Sequence, residues 1–391
     1  MVNYDILFAI VFYAIILIIF FKYRSKFDVQ GKIFIMYRTK LGLRLMDYLS
    51  KKIPRLLKIF SFLGIIVGFG GMIYISYFVI RYTLKFILIP GTEPVLSPVL
   101  PGVHIPGAPP LSFWHWIISI LILAVIHEFS HGVIARLYNV KVKSSGFAFL
   151  GPILAAFVEP DEKELIKKPK KVQLEMFAAG PFSNILLAGI ILLFLSYVFS
   201  PYIDETVQVK GLRVIGFEKE FSTEDLKKGD IILGVNNLDL VNKKLNVFFN
   251  EIKNKTNQEI TLKVKSAEDL TKTIALKVLP SKDDPKLGKL GVLVRGIYDT
   301  KDKILIWFWL LTVWLFITNL GVGLFNLLPL GPVDGGRMFT TAVSYVIKDP
   351  NKARKLTNLV SLILLALIVV NLLPFLYKLL IFIITPVINL I

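Results

Sequence analysis

The chain has 391 residues, 54% of them hydrophobic, with a mean hydropathy of +0.65, and runs of the roughly 20 apolar residues that cross a bilayer recur along it. It therefore reads as a polytopic membrane protein and not as a soluble enzyme. Its formal charge of +18 sits beside apolar runs, as in loops facing an anionic cytoplasmic leaflet, so the expected partner is the lipid bilayer and not nucleic acid, and the absence of cysteine excludes disulfides, a thiol nucleophile and Cys-ligated metals.

The first predicted span covers about residues 6–21 of "MVNYDILFAIVFYAIILIIFFKYRSK". Its basic residues follow the apolar run and no small-residue cleavage site is evident, so it reads as a retained helix with its N-terminus outside. From Lys22 to Lys58 eleven Lys or Arg face only Asp28 and Asp47, which marks this segment as cytoplasmic. A second span is expected at about residues 59–80. Residues 89–111, "IPGTEPVLSPVLPGVHIPGAPPL", hold seven prolines and no Lys or Arg, and read as an irregular external loop or cap.

The third span, residues 113–137, contains "HEFSH" near its cytoplasmic end. Residues 138–173 carry seven Lys, which supports that side. Within them, residues 140–160 combine β-branched alternation with Gly-Pro punctuation and read as a short β-hairpin at membrane level. Such backbone is tolerable at that depth only where protein or a water-filled cavity covers it. A fourth span covers about residues 174–199 and is opened by "AAGPFSN".

Residues 203–299 change character: apolar runs shorten and charges recur every few positions. "LKKGDIILGVNNLDL", "VNKKLNVFFNEIKN", "EITLKVKS" and "TIALKVLP" alternate strand and amphipathic-helix patterns, so an inserted soluble α+β domain is expected, outside by alternation of the spans. A fifth span at about residues 304–328 ends in "NLLPLGPVDGGRMF", and five Lys or Arg at residues 337–355 mark the cytoplasmic side again. The last apolar stretch, residues 356–391, is longer than one span. "NLLP" at 371–374 divides it either into one helix and an interfacial tail or into two helices. The expected fold is a polytopic α-helical membrane protein of about six transmembrane helices, with a membrane-level β-hairpin and the inserted α+β domain. Its parts are residues 1–111, 112–202, 203–299 and 300–391.

His127 and His131 stand four apart, so on a helix both imidazoles face one way, as two nitrogen ligands of one Zn2+ must. Glu128 beside them projects toward the open position of such an ion and can take a proton from water. Ionisable residues inside a lipid-spanning helix are costly and seldom idle. The third ligand has few sources. His115 lies twelve residues before His127, about 18 Å along the helix, and His104 is in the loop at the other side. Without cysteine the ligand must be a carboxylate. Glu159, Asp161, Glu162 and Glu164 read as a solvated charge run. Asp334 stands apart, beyond an apolar helix and among Pro329, Gly331, Pro332, Gly335 and Gly336, which break the helix and let backbone approach.

HEFSH in one span, AAGPFSN opening the next, a soluble insert and then NLLPLGPVDGG together resemble the site-2 protease family of intramembrane zinc metalloproteases, over about residues 112–356. The resemblance implies hydrolysis of peptide bonds within a substrate's transmembrane helix. It makes His127, His131 and Asp334 zinc ligands and Glu128 the general base. It makes Asn184 a group that handles substrate or oxyanion; Asn326, eight residues before Asp334, is a further candidate for a polar wall. "AAFVEP" resembles the family's β element, which takes an unwound substrate by strand addition. The segment "LKKGDIILGVNN" resembles a PDZ domain, which implies capture of a peptide C-terminus, with residues 286–292 as its carboxylate loop. The partner implied is a transmembrane protein substrate, pre-trimmed before cleavage. The competing readings are a catalytically inactive metal-binding scaffold and a transporter-like protein; internal repeats, expected of the latter, are not evident.

Overall fold

The computed structural model describes residues 4–30, 34–103, 105–150, 153–218, 225–266, 269–281, 284 and 287–388. Six of the described helices are long and apolar enough to cross a membrane. The chain divides into two compact units: Met1–Leu192 with Leu311–Ile391, and Leu193–Leu310 between them.

The first unit begins with α1 (Tyr4–Lys22), β1 (Phe27–Gln30), β2 (Phe34–Thr39), α2 (Leu43–Lys52), α3 (Pro54–Leu88) and α4 (Phe113–Leu137). It continues through β3 (Val142–Leu150), β4 (Ile153–Pro160), α5 (Glu162–Ile166) and α6 (Lys170–Phe194). The expected hairpin is present as β3 and β4, but it is half of a larger sheet. β1 and β2 extend it to a four-stranded antiparallel sheet in the order β1-β2-β3-β4, with Tyr37 opposite Phe147 and Ala148 opposite Ala155. The segment read only as basic cytoplasmic marking thus forms two strands and a helix. Arg38 on β2 joins the strands through ion pairs to Asp28 and Glu159. α2 is tied to α4 by Arg136 to Asp47 at 3.1 Å.

α3 is 35 residues long, about 50 Å at 1.5 Å per residue, so it exceeds the expected span at both ends. Its start is set by Pro54, whose missing N–H is harmless in the first turn. α4 opens at Ser112, whose Oγ accepts the amide of His115. His115 is buried beside that serine, at the far end of α4 from His131. The described part of the Pro-rich loop has no helix or strand and packs on this end, with Trp116 Nε1 donating to the Val99 carbonyl at 2.8 Å; His104 lies outside the described residues.

The inserted unit contains α7 (Ser200–Thr206), β5 (Gly211–Phe217), β6 (Ile231–Val235), β7 (Leu238–Asp239), α8 (Leu245–Lys253), β8 (Glu259–Lys265), β9 (Thr271–Lys277), β10 (Leu279–Pro280), β11 (Gly288–Lys289) and β12 (Val292–Ile297). Its main sheet runs β12-β5-β6-β8-β9, with β7 paired to β6. Alternation along β8 buries Ile260, Leu262 and Val264 against Phe248 and Ile252 of α8, the expected α+β pattern. Asn236, at φ 53°, takes the left-handed turn after β6 that an asparagine accommodates. The segment read as a carboxylate loop is packed into this core. A Cβ on Gly288 would meet Val278 Cγ1 at 2.4 Å, and Lys289 pairs with Glu218. Lys286 lies outside the described residues.

α9 (Thr300–Phe325), α10 (Asp334–Val346) and α11 (Pro350–Ile388) follow. α11 runs through NLLP without a break, so neither arrangement left open by the sequence is taken. Asn371 there bridges other elements, donating to Thr83 Oγ1 at 2.6 Å and accepting from the Val95 amide at 3.0 Å. Apolar side chains from α3, α4, α6, α10 and α11 form the unit's main core, including Val79, Ile134, Ala178, Met338 and Leu364.

Candidate metal centre

The centre is built by the first unit alone. α4 presents His127 and His131 one turn apart, both buried. Asp334 is the first residue of α10 and not part of a bare turn, so its carboxylate lies at the positive end of a helix. Two glycines make that placement possible. A Cβ on Gly335 would meet the Leu327 carbonyl carbon and oxygen at 2.3 Å, and one on Gly336 the Leu330 oxygen at 1.8 Å. The first turn of α10 can therefore lie directly on the turn that ends α9, where the Gly335 amide donates to the Asn326 carbonyl at 2.7 Å. Asn326 thus contributes its backbone carbonyl to the placement of Asp334.

Asp334 Oδ2 stands 3.0 Å from His127 Nε2 and 3.2 Å from His131 Nε2, and the two Nε2 atoms are 3.2 Å apart. A tetrahedral zinc with bonds of about 2.0–2.1 Å needs ligand atoms roughly 3.3 Å apart. The observed triangle has that size. Two imidazoles and one carboxylate form a three-ligand set that leaves a fourth position open.

The histidines are oriented from behind. His131 Nδ1 donates to the Met176 carbonyl at 2.8 Å, which leaves a lone pair on Nε2. Asn184, fully buried, has its amide nitrogen 3.1 Å from His127 Nδ1. Turning that amide by half a rotation brings Oδ1 to the ring, where it accepts from Nδ1–H and frees Nε2 as a ligand. The same rotation gives a partner to Oδ1, which is otherwise buried without one among the described residues. The residue that the resemblance assigns to substrate or oxyanion therefore lies behind His127. Both supports come from α6, whose Gly180 faces the tips of the two imidazoles. A Cβ there would stand 2.4 Å from His131 Nε2 and 2.6 Å from His127 Nε2. The approach of both Nε2 atoms explains why glycine sits in AAGPFSN, a reason the sequence does not display.

Glu128 Oε2 accepts the amide of Val158 at 3.0 Å. This ties the carboxylate to β4, the edge strand of the sheet, which packs along α4. Glu159 is elsewhere: it pairs with Arg38 and accepts from Ser144 Oγ at 2.7 Å. Asp161 caps α5. Among the described residues, His127, His131 and Asp334 are the one group of three or more His, Asp or Glu close enough to share a metal.

Residues 115–376 match the family model of peptidase family M50. The chain belongs to this family, that of the site-2 proteases. It is also 34% identical over 347 residues to the uncharacterized protein MJ0971 of Methanocaldococcus jannaschii, with 85% of each chain covered. The family is one of metallopeptidases, and its match together with six long apolar helices makes the chain a multi-pass membrane protein.

Proposed function

We propose that this protein is an intramembrane zinc endopeptidase that cuts within transmembrane segments of membrane-protein substrates. The observation that carries the reading is the triangle of His127, His131 and Asp334, with Glu128 on the adjoining helix position. Zinc held by these three atoms would supply a Lewis acid and lower the pKa of a water molecule. Glu128 takes the proton from the attacking water and returns it to the leaving amine. Met176 and Asn184 hold the imidazoles in the ligating tautomer.

An intact substrate helix hides its carbonyls in i→i−4 bonds and must unwind first. β4 offers the means. In an antiparallel strand, alternate residues turn their N–H and C=O to opposite sides. The Val158 amide faces Glu128 and not β3, so Ala156 and Leu154 direct theirs to the same outer side. An extended substrate segment adds along that edge and ends beside the carboxylate. The distribution of Lys and Arg in the sequence puts the catalytic end of α4 toward the cytoplasm and the inserted domain outside. There that domain, read as PDZ-like, holds a peptide C-terminus left by earlier trimming.

The test is cleavage of a reconstituted transmembrane substrate, mapped by mass spectrometry. Peptide-bond cleavage inside the apolar segment, abolished by a chelator and restored by zinc, is expected. Cleavage unaffected by chelation, or none with zinc bound, removes the reading.

A further inference from the structure

Beside Glu128 the first unit forms a half-open cleft of about 110 Å3 between the start of α2, the middle of α4 and the sheet. Its walls are Gly42 and Met46, Val125 and Phe129, and Ala156 with Val158. The polar atoms nearby are engaged elsewhere. Thr39 Oγ1 donates to the Ser145 carbonyl at 3.1 Å, and Ser145 Oγ to the Leu41 carbonyl at 2.6 Å. What remains is an apolar recess with one carboxylate at its mouth.

The geometry points to this recess as the specificity subsite for one side chain adjoining the cleaved bond, and to an aliphatic residue of valine-to-leucine size as its occupant. The inference rests on the proteolytic reading and deepens it. Three observations carry it. The recess shares Glu128 with the reacting centre, so whatever fills it is next to the attacked carbonyl. It is lined by Ala156 and Val158 of β4, the edge strand along which an extended substrate turns alternate side chains to the two faces of the sheet. And its size is selective: an apolar cavity of about 150 Å3 takes a benzene ring, so 110 Å3 holds a branched aliphatic group and rejects an indole.

Two walls set the size. Met46 is buried and lies against the position of Gly132, where a Cβ would meet its sulfur at 2.6 Å. Met46→Ala therefore enlarges the recess. Ala156→Val narrows it from the sheet side. The assay uses the full chain in detergent with zinc, and apolar peptides of roughly 20 residues that differ only at the two positions flanking the cut, as Ala, Val, Leu, Phe or Trp. Rates are read as kcat/KM with the cut mapped by mass spectrometry. Binding of the same peptides to the Glu128→Gln chain is read by fluorescence anisotropy.

At one flank, the wild type is expected to favour Val and Leu over Trp by about tenfold or more, the scale on which apolar pockets discriminate. Met46→Ala moves the optimum toward Phe, and Ala156→Val moves it toward Ala. The subsite is overturned by a profile indifferent to size at both flanks. It is also overturned if both variants leave the profile unchanged while folded by circular dichroism and loaded with zinc. If no peptide is cut but binding to Glu128→Gln shows the same size preference, the proteolytic reading fails while the recess stands as a pocket for an aliphatic side chain. If nothing is cut and binding ignores size, both fail.

Discussion

Gly180→Ala is the smallest change that reaches the centre, because it adds one methyl against the tips of both imidazoles. That methyl would lie 2.4 Å from His131 Nε2 and 2.6 Å from His127 Nε2, whereas an ordinary contact begins near 3.4 Å. The shortfall is about 1 Å. His131 has little room to yield, since its Nδ1 is held by the Met176 carbonyl at 2.8 Å. Metal–ligand distances tolerate only about 0.2 Å. Loss of a supporting hydrogen bond alone lowers metal affinity about 10–100-fold. Displacing both ligand atoms is therefore expected to lower zinc affinity at least about 100-fold, or ~2.8 kcal/mol at 1.4 kcal/mol per decade. Stability changes little by comparison: alanine is the better helix former by about 1 kcal/mol, against an overpacking cost of about 1–3 kcal/mol. Gly189→Ala is the control, on the same helix with nothing within 4 Å of its Cβ position. The assay is competition for zinc against a chelator of known affinity, with thermal melting alongside. Zinc held as tightly by Gly180→Ala as by Gly189→Ala would refute the convergence of the two imidazoles on Gly180.

Three further outcomes are expected. Glu128→Gln keeps fold and zinc but loses hydrolysis, because an amide cannot accept the proton from water; turnover at the wild-type rate, measured in the same reconstituted assay, removes the general-base role. Asn184→Leu, similar in volume, leaves His127 Nδ1 without its partner and lowers zinc affinity about 10–100-fold, whereas unchanged zinc binding would return Asn184 to a role toward substrate. Replacing residues 203–299 by a short flexible linker leaves cleavage of a short-tailed substrate intact while altering that of a long-tailed one, and loss of both with zinc retained would make the inserted domain part of the catalytic assembly.

The parts that were legible from sequence are those set by local pattern. The extent of α4 follows from one apolar run, and the β3–β4 hairpin from alternation and Gly-Pro punctuation in the sequence. The spacing of His127 and His131 on one helix fixes their common face, and elimination among four histidines and few apolar-flanked acids isolates Asp334. What was hidden depends on which faces meet. "FIMYRT" is a short apolar run ending in Arg38, and the basic residues around it read as a cytoplasmic marker until β3 is available to pair with it. The place of Asn184 depends on the rotation of α6 against α4, which no spacing in the sequence encodes. NLLP reads as a helix break, but Asn371 finds partners in Thr83 and Val95, and a proline inside a membrane helix is tolerated when neighbours satisfy the freed groups.

The most direct test of the account is the zinc stoichiometry of three purified, folded chains: wild type, Asp334→Ala and Glu159→Ala. Asp334 closes the triangle with both Nε2 atoms, while Glu159 is spent on Arg38 and Ser144. Elemental analysis is expected to find one zinc per chain in the wild type and in Glu159→Ala, and nearly none in Asp334→Ala. Full zinc in Asp334→Ala with loss in Glu159→Ala would contradict the assignment of the centre.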